Sequence, residues 1–504
     1  MLLKSKEHIN KSYDVVVVGG GLGGLTLANK MAKDGRSVLL LEAHNKLGGF
    51  ATWFRRQSDN AHDGAHVFDV SLHGFPVGMI KTCRKYWSKE IADRIHQLKS
   101  VRYINPMFNV ETDFTKEHFT QVLVEKFKVE KSVVDGFFEE LAQMNFYDNS
   151  QMTNGELFEK FFPNRPDITR FLLEPIVYAN GSNLEDPAIS YGIVFSNFMS
   201  KGVYIFQGGT DTMINMMKEE LIKNGVDIRL QSKVEKILVE NKGGNPTVVG
   251  VRLKDQDVFC RSVVSNANIK STVLKMVDAE YFRADFLEQT EKIRLNTSSC
   301  QVYMGLKKEA KIPFIGDLIF TSDDQEFSTD LILSSKVGSQ TFSVYYPDTR
   351  PHLADHYAIV SSSNAKYEDW KNLNSEEYEK QKSFVIERAI SGLEKIVPGI
   401  RAMIDHVEAA TPLTVERYTH HPMGTSFGTK FEGLPVSMNL HKEIQGLFHA
   451  GSVVIIMSGW LGAANYGVIQ AHSVDTYLSA LDKKQSSSDV QLNPNNNQVG
   501  ENYV

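Results

Sequence analysis

Residues 13–42, YDVVVVGGGLGGLTLANKMAKDGRSVLLLE, constrain this chain more than any other stretch. Val15 to Val18 is a wholly apolar, β-branched run, as a strand buried on both faces would be. Gly19, Gly21 and Gly24 then set out GxGxxG, with Ala28 four residues on. Leu25 to Lys33 has helical spacing and good helix formers, and Val38 to Leu41 is a second apolar strand that ends at Glu42. The order strand, glycine turn, helix, strand, acid is what a dinucleotide site needs. Gly19 permits the tight turn, and Gly21 lets backbone N–H groups approach a pyrophosphate. Gly24 and Ala28 let the helix lie close to the sheet, and the helix N-terminus faces the negative charge. Glu42 is placed to accept hydrogen bonds from a ribose. A lone GxGxxG is weak; with both strands, the helix and the acid it is strong.

The chain has 504 residues, 42% of them hydrophobic, which is enough for two or three domains or one interleaved pair. A net charge of −6 gives no reason to expect a nucleic acid partner. Cys83, Cys260 and Cys300 are widely scattered without metal-ligand spacing, so no metal site is expected and a reducing, cytoplasmic setting is the default. No run of 18 apolar residues is present to span a membrane, and attachment to a membrane surface stays open. Residues 1–11 and the Ser-, Asn- and Gln-rich tail 483–504 read as flexible termini.

After Glu42, Gly48 and Gly49 allow a loop to pass close to a ligand already held by the first glycine turn. Residues 64–75 alternate apolar and polar side chains and read as a strand and turn carrying His66 and His73. From about Pro76 to Ser200 the pattern turns helical and aromatic. Phe158, Phe161, Phe162, Phe171, Leu172 and Leu173 form either a bilayer-touching patch or ordinary core, with core the stronger reading. At Val203 the chain returns to the dinucleotide domain through Gly208–Gly209, an amphipathic helix and several strands. TSSCQVYMGL, LIFTSDDQEF, TFSVYYP and HYAIVSSS then suggest a mixed sheet carrying a substrate pocket.

The last ordered region, GLFHAGSVVIIMSGWLGAANYGVIQAH, repeats the opening theme: a strand into Ala450–Gly451, then Gly459, Gly462, Ala463 and Ala464 before a helix. Small residues at a helix N-terminus suit a flat ring packed against backbone. A nicotinamide-only dehydrogenase does not need this second element. A flavin does, because its isoalloxazine reaches far from its adenine.

With these pieces in place, residues 13 to about 480 resemble the phytoene desaturase family of flavoproteins, with its carotenoid isomerases and retinol saturase-like enzymes. The resemblance rests on VVVVGGGLGGLTLA with Glu42 and LGG, on GGTDTMINMM and GVDIRLQSKVEKI, and on VVSNA at 263–267. It rests also on TPLTVERYTHHPMGTSFG at 411–428 and on GLFHAG with SGWLGAANYGVIQAH. Gln207 stands where the family often has proline, and Ser452 where many relatives carry an acid or amide at the ribityl chain. The resemblance implies an α/β fold in which a Rossmann-type FAD-binding domain (12–75, 201–290 and 405–482) is interleaved with an α+β substrate domain (76–200 and 291–404). It implies non-covalent FAD and a lipophilic polyene or isoprenoid substrate that is desaturated, isomerised or saturated, with hydride transfer at flavin N5. The cofactor set is Gly19, Gly21, Leu22, Gly23, Gly24, Glu42, Gly48, Gly49, Val234, Gly451, Ser452, Gly462, Ala463 and Ala464. Tyr418, Trp460 and Tyr466 are candidates for lining the pocket at the ring, and no catalytic triad is visible. Two other readings stand beside this one: an amine-oxidase-like enzyme with a polar substrate, and a lipid-binding relative of the Rab GDP-dissociation inhibitors that uses no flavin.

Overall fold

The computed structural model describes residues 9, 12–58, 64–70, 74–144, 152–199, 201–350, 356–453 and 459–491. Tyr13–Val18 lies at the centre of the first sheet. It pairs in parallel with Val38–Leu41 on one side and Asp257–Ser265 on the other, and Asp227–Arg229 extends the sheet beyond Val38–Leu41. Alternation along these strands feeds two cores. Val15, Val17, Val38 and Leu40 meet the helix Leu22–Lys33, while Val16, Val18, Leu39 and Leu41 pack on the opposite face. A sheet covered on both faces requires this continuous apolar run. Along its other edge Asp257–Ser265 serves two partners in succession. Its first half pairs antiparallel with Asn245–Leu253, and Val263 to Ser265 pair in parallel with Leu447–His449.

The second sheet has seven strands in the order Ile404–Ala410, Ser298–Leu306, Ala358–Ala365, Ser339–Tyr345, Leu318–Ser322, Val101–Ile104 and Asn109–Thr112. Cys300, Val302, Met304, Ile319, Phe342 and Ile359 point to the helix Ser375–Glu394, which buries Val385, Ala389 and Leu393 against them. The other face looks toward a helical lobe spanning 116–199. That lobe is held by a phenylalanine core in which Phe119 stacks on Phe171 at 4.5 Å.

The fold bears out one expectation and corrects others. Phe158, Phe162, Phe171, Leu172 and Leu173 are buried in this core and Phe161 is partly buried against it, as the stronger reading of that segment has it, so the bilayer-facing alternative is absent there. Strand Ile404–Ala410 belongs to the second sheet, because its residues pair with Ser298–Leu306; residues 405–410 therefore leave the dinucleotide half. Conversely, Met79, Cys83, Trp87, Ile91 and Ile95 pack into the first core with Val15 and Leu25, so the segment after Pro76 begins in that half. The last helix, Gly459–Gln491, continues past Lys483 into the segment read as a flexible tail. His73 lies outside the described residues, and His66 is buried with its Nε2 2.6 Å from Asp405. Cys83, Cys260 and Cys300 are free and buried, and burial pushes the Cys83 and Cys260 thiols up to about 12. Among the described residues no helix is long and apolar enough to cross a membrane.

Candidate active site

The glycine turn is built by close backbone approach. Gly19, at φ +101°, donates its N–H to Leu41 O at 2.8 Å and thereby ties the turn to the next strand. A Cβ on Gly24 would stand 2.3 Å from Gly19 O, so only glycine lets the helix begin there. The helix Leu22–Lys33 starts from Gly21 with no side-chain cap and no acid in its first turn. Its first N–H groups and the positive end of its dipole are thus left for an anion. Gly48 clips onto the turn, its N–H 2.8 Å from Gly20 O, and a Cβ on Gly49 would lie 3.0 Å from Gly21 Cα. Glu42 is fixed by two backbone donors, Gly20 N–H and His44 N–H, each at 2.7 Å. Asn266, just after the strand Asp257–Ser265, fills the space behind the glycines and donates from Nδ2 to Gly19 O at 3.2 Å.

The C-terminal element completes the cradle. A Cβ on Gly467 would stand 2.3 Å from Gly23 O, and one on Gly23 would stand 2.5 Å from Ala450 O. The first and last helices therefore cross backbone to backbone. Beneath this crossing runs a directed hydrogen-bond chain. His449 Nε2 donates to Ala267 O at 2.8 Å, so its Nδ1 accepts from Ser437 O–H at 2.6 Å. Ser437 Oγ in turn accepts from Tyr466 O–H at 2.5 Å. Burial drives the His449 imidazole down to about 4, so it is neutral at neutral pH.

A cavity of about 1270 Å³ opens from this cradle, larger than the ~300–1,000 Å³ of an ordinary small-molecule pocket. Gly19, Gly21, Leu22, Gly23, Glu42, Gly48, Gly49, Val234, Ser452, Gly462, Ala463, Tyr418 and Trp460 all line it. Gly24, Gly451 and Ala464 sit behind the lining. Gly24 and Gly451 are held there by backbone contacts, a Cβ on Gly451 standing 2.3 Å from Ala267 O, and Ala464 is fully buried. Tyr466 is displaced from the expected role: it shares a helix face with Gly462 but lies one turn further in, where it anchors Ser437. Tyr418 stands at the rim, half exposed, its ring 5.1 Å from that of His44, whereas Trp460 is buried and stacked on Phe75 at 5.4 Å.

Beyond the cradle the cavity becomes a chamber between the second sheet and the helical lobe. Phe114, Pro175, Ile176, Ile193, Val194 and Phe320 supply its apolar wall. Ser299, Gln301, Tyr303, Ser362 and Asn364 come from alternate positions of two neighbouring strands and form its floor. These five, with Asn266 and His421, are site residues that sequence reasoning missed individually, although the strands carrying the floor were read as pocket-bearing. His421 also lines this space; its Nδ1 donates to Thr425 O at 3.2 Å, and burial lowers its pKa, which favours the neutral ring. Among the described residues no cluster of His, Cys, Asp and Glu can hold a metal ion.

The residues present fit a dinucleotide flavin. A cradle exists that a Cβ at Gly21 would fill, at 2.9 Å from Asn266 Nδ2. Two buried polar atoms of residues that line the cavity, Thr52 Oγ1 and Asn268 Nδ2, have no partner among the described residues. Comparison with known proteins agrees. Residues 22–421 match the family described as flavin-containing amine oxidoreductase. The chain is similar to a chloroplastic prolycopene isomerase of Arabidopsis thaliana, 26% identical with 95% of this chain and 85% of that protein covered. It is similar also to the human all-trans-retinol 13,14-reductase, 21% identical with 84% and 78% covered. Among solved structures, an oxidoreductase from Methanosarcina mazei superposes with a TM-score of 0.64 at 15% identity, over 91% of this chain and 99% of that one. Wild-type putrescine oxidase bound to putrescine superposes with a TM-score of 0.62 at 14% identity, over 92% and 99%. With most of its length matched by the family model and a cradle that fits the cofactor, the chain belongs to the flavin-containing amine oxidoreductase family and is an FAD-dependent oxidoreductase.

Proposed function

We propose that this enzyme acts on carbon–carbon bonds of a lipophilic polyene or isoprenoid, in a desaturation, isomerisation or saturation of the carotenoid type. The observation that carries this reading is the chamber, a space continuous with the cofactor cradle whose wall is apolar on the side of the phenylalanine-cored lobe and whose floor is polar but uncharged. The names of the similar proteins, prolycopene isomerase and all-trans-retinol 13,14-reductase, point the same way. An amine substrate would ask for an anionic group beside the reacting carbon. The acids on the cavity wall are Glu42, Glu235, Glu408 and Glu416; Glu408 is paired with Arg56 at 2.8 Å, and the apolar chamber wall carries none among the described residues.

In this reading the protein binds, orients and dries. Glu42, oriented by Gly20 and His44, would hold a ribose; the uncapped N-terminus at Leu22–Gly23 would face the diphosphate. Val234 would border the adenine, and Ser452 with Gly462 and Ala463 would border the ribityl and ring end. Bound flavin supplies the two-electron chemistry. The chamber excludes water from the reacting carbons, and His421, on the cavity wall with its pKa lowered by burial, would be a neutral imidazole beside the reacting group.

The test is anaerobic mixing of the FAD-loaded enzyme, oxidised or pre-reduced, with polyenes, followed by flavin absorbance and chromatography of the products. A polyene altered in bond order or geometry is the expected result. Unchanged polyenes together with flavin bleaching by a diamine would replace this reading with the amine-oxidase one.

A further inference from the structure

Apart from His421, the segment from Thr411 to Gly424 has no part in the reading above. It leaves the second sheet at the end of strand Ile404–Ala410, runs out along the helix Pro412–Thr419 and doubles back, so that a Cβ on Gly424 would stand 2.2 Å from Pro412 O. Its base rests on the second sheet, where Ser298 O–H donates to Gly424 O at 2.6 Å. Its tip reaches the other half. The Tyr418 ring lies 5.1 Å from that of His44, whose N–H holds Glu42, and the His421 ring lies 5.6 Å from that of Phe50, the residue after Gly48 and Gly49. Along the way Glu416, Tyr418, Thr419, His420, His421 and Pro422 line the cavity. The hairpin therefore spans from the substrate half to the rim of the cradle at its Glu42 end.

For a span between two halves it is lightly packed. Of the eight residues in its helix only Pro412 is buried, and Tyr418 and Met423 are 52% and 40% exposed. His420 and Met423 hold φ of +56° and +57°, a conformation that costs a non-glycine residue energy. Polar pins keep the hairpin in place. Tyr367, just past strand Ala358–Ala365 of the second sheet, donates its O–H to Glu416 Oε2 at 2.5 Å, and Met423 N–H reaches Glu416 Oε1 at 3.3 Å. Few buried contacts, strained turns and a polar pin mark an element that opens locally. We propose that this hairpin is the cover of the cofactor cradle, pinned by Tyr367 and Glu416 and closed at its tip by Tyr418 on His44, so that FAD enters and leaves only when it lifts. Tyr418 then serves cofactor retention. Tyr367, which is not among the residues lining the cavity, is a positioning residue that acts through Glu416. The pin holds the cover equally over an empty and a filled cradle, so weakening it speeds uptake and release together and leaves the affinity where it was.

The test follows release of FAD from the holoenzyme into an excess of 8-chloro-FAD by absorbance, beside the equilibrium Kd read from FAD fluorescence on dilution. Tyr367→Phe keeps the ring and removes the hydroxyl. It is expected to release FAD about tenfold faster, the effect of one charge-assisted hydrogen bond, with a Kd within about twofold of the wild type. Tyr418→Ala is the second variant, expected to speed release about two- to tenfold, the range of one aromatic pair, and it decides the matter if Tyr367→Phe fails to fold. An unchanged release rate overturns the proposal. So does a Kd that rises along with the release rate, which would make the hairpin a direct grip on the cofactor and not a cover. Neither result bears on the polyene reading, since no substrate is present in the assay.

Discussion

Replacing His449 with phenylalanine tests the buried chain under the cradle through its pH dependence. In the folded protein this imidazole is held neutral down to about 4, against its ordinary 6.5. The unfolded chain therefore binds a proton between those values that the folded one refuses. Its contribution is intact above about pH 6.5 and is lost as the pH falls toward 4. At ~1.36 kcal/mol per pH unit the whole window is worth about 3 kcal/mol. At pH 7, His449→Phe strips Ser437 of its acceptor and Ala267 of its donor, two buried groups at ~1–3 kcal/mol each, so the variant should be weaker by about 2–6 kcal/mol. Phenylalanine has no proton to gain. As the pH falls to about 4.5 the wild type alone should lose most of its ~3 kcal/mol, and the gap should shrink by about that amount. The assay is urea unfolding of both FAD-saturated proteins across this range, with matched slopes. Other titrating groups cancel in the difference. A gap that stays constant from neutral to acid pH would refute the assignment of His449 as a neutral, doubly bonded imidazole.

Three further outcomes are expected. Glu42→Ala should weaken FAD binding about ten- to a hundredfold in a fluorescence titration, the effect of losing charge-assisted hydrogen bonds to a ribose. Asp69→Ala should lower stability by about 3–5 kcal/mol in chemical denaturation. It leaves the buried Arg350 guanidinium without the carboxylate 2.6 Å away and frees the Thr210 hydroxyl held at 2.6 Å. Gly23→Ala should yield protein with little bound flavin by absorbance, because its Cβ would press on Ala450 O at 2.5 Å and wedge the first helix from the last.

The opening strand, turn, helix and strand were legible because their signal is local: glycine spacing, a β-branched run and an acid all fall within 30 residues, 13–42. The second glycine-rich element was legible for the same reason. The chamber floor was not. Gln301 and Ser362 meet only because two strands far apart in the chain pair antiparallel, and alternate polar residues on a strand look the same whether they face solvent or a cavity. The fate of Phe171 depended on a sheet covering its helix, which periodicity cannot report. Tyr466 misled because position on a helix face says nothing about how far along the axis the cavity reaches. The strand at 404–410 went to the wrong half because sheet membership is decided by pairing and not by proximity to the TPLT block.

Because Val263 to Ser265 pair with Leu447–His449, that stretch of the nucleotide-binding layer's edge stays bare until Leu447, about 180 residues later, has left the ribosome. Throughout that interval the nascent molecule presents open strand edge and an incomplete cradle, the state in which wrong pairings form. A release factor arriving early, or a nonsense codon before Leu447, would therefore leave an unclosed layer with no means of gripping its yellow prosthetic group.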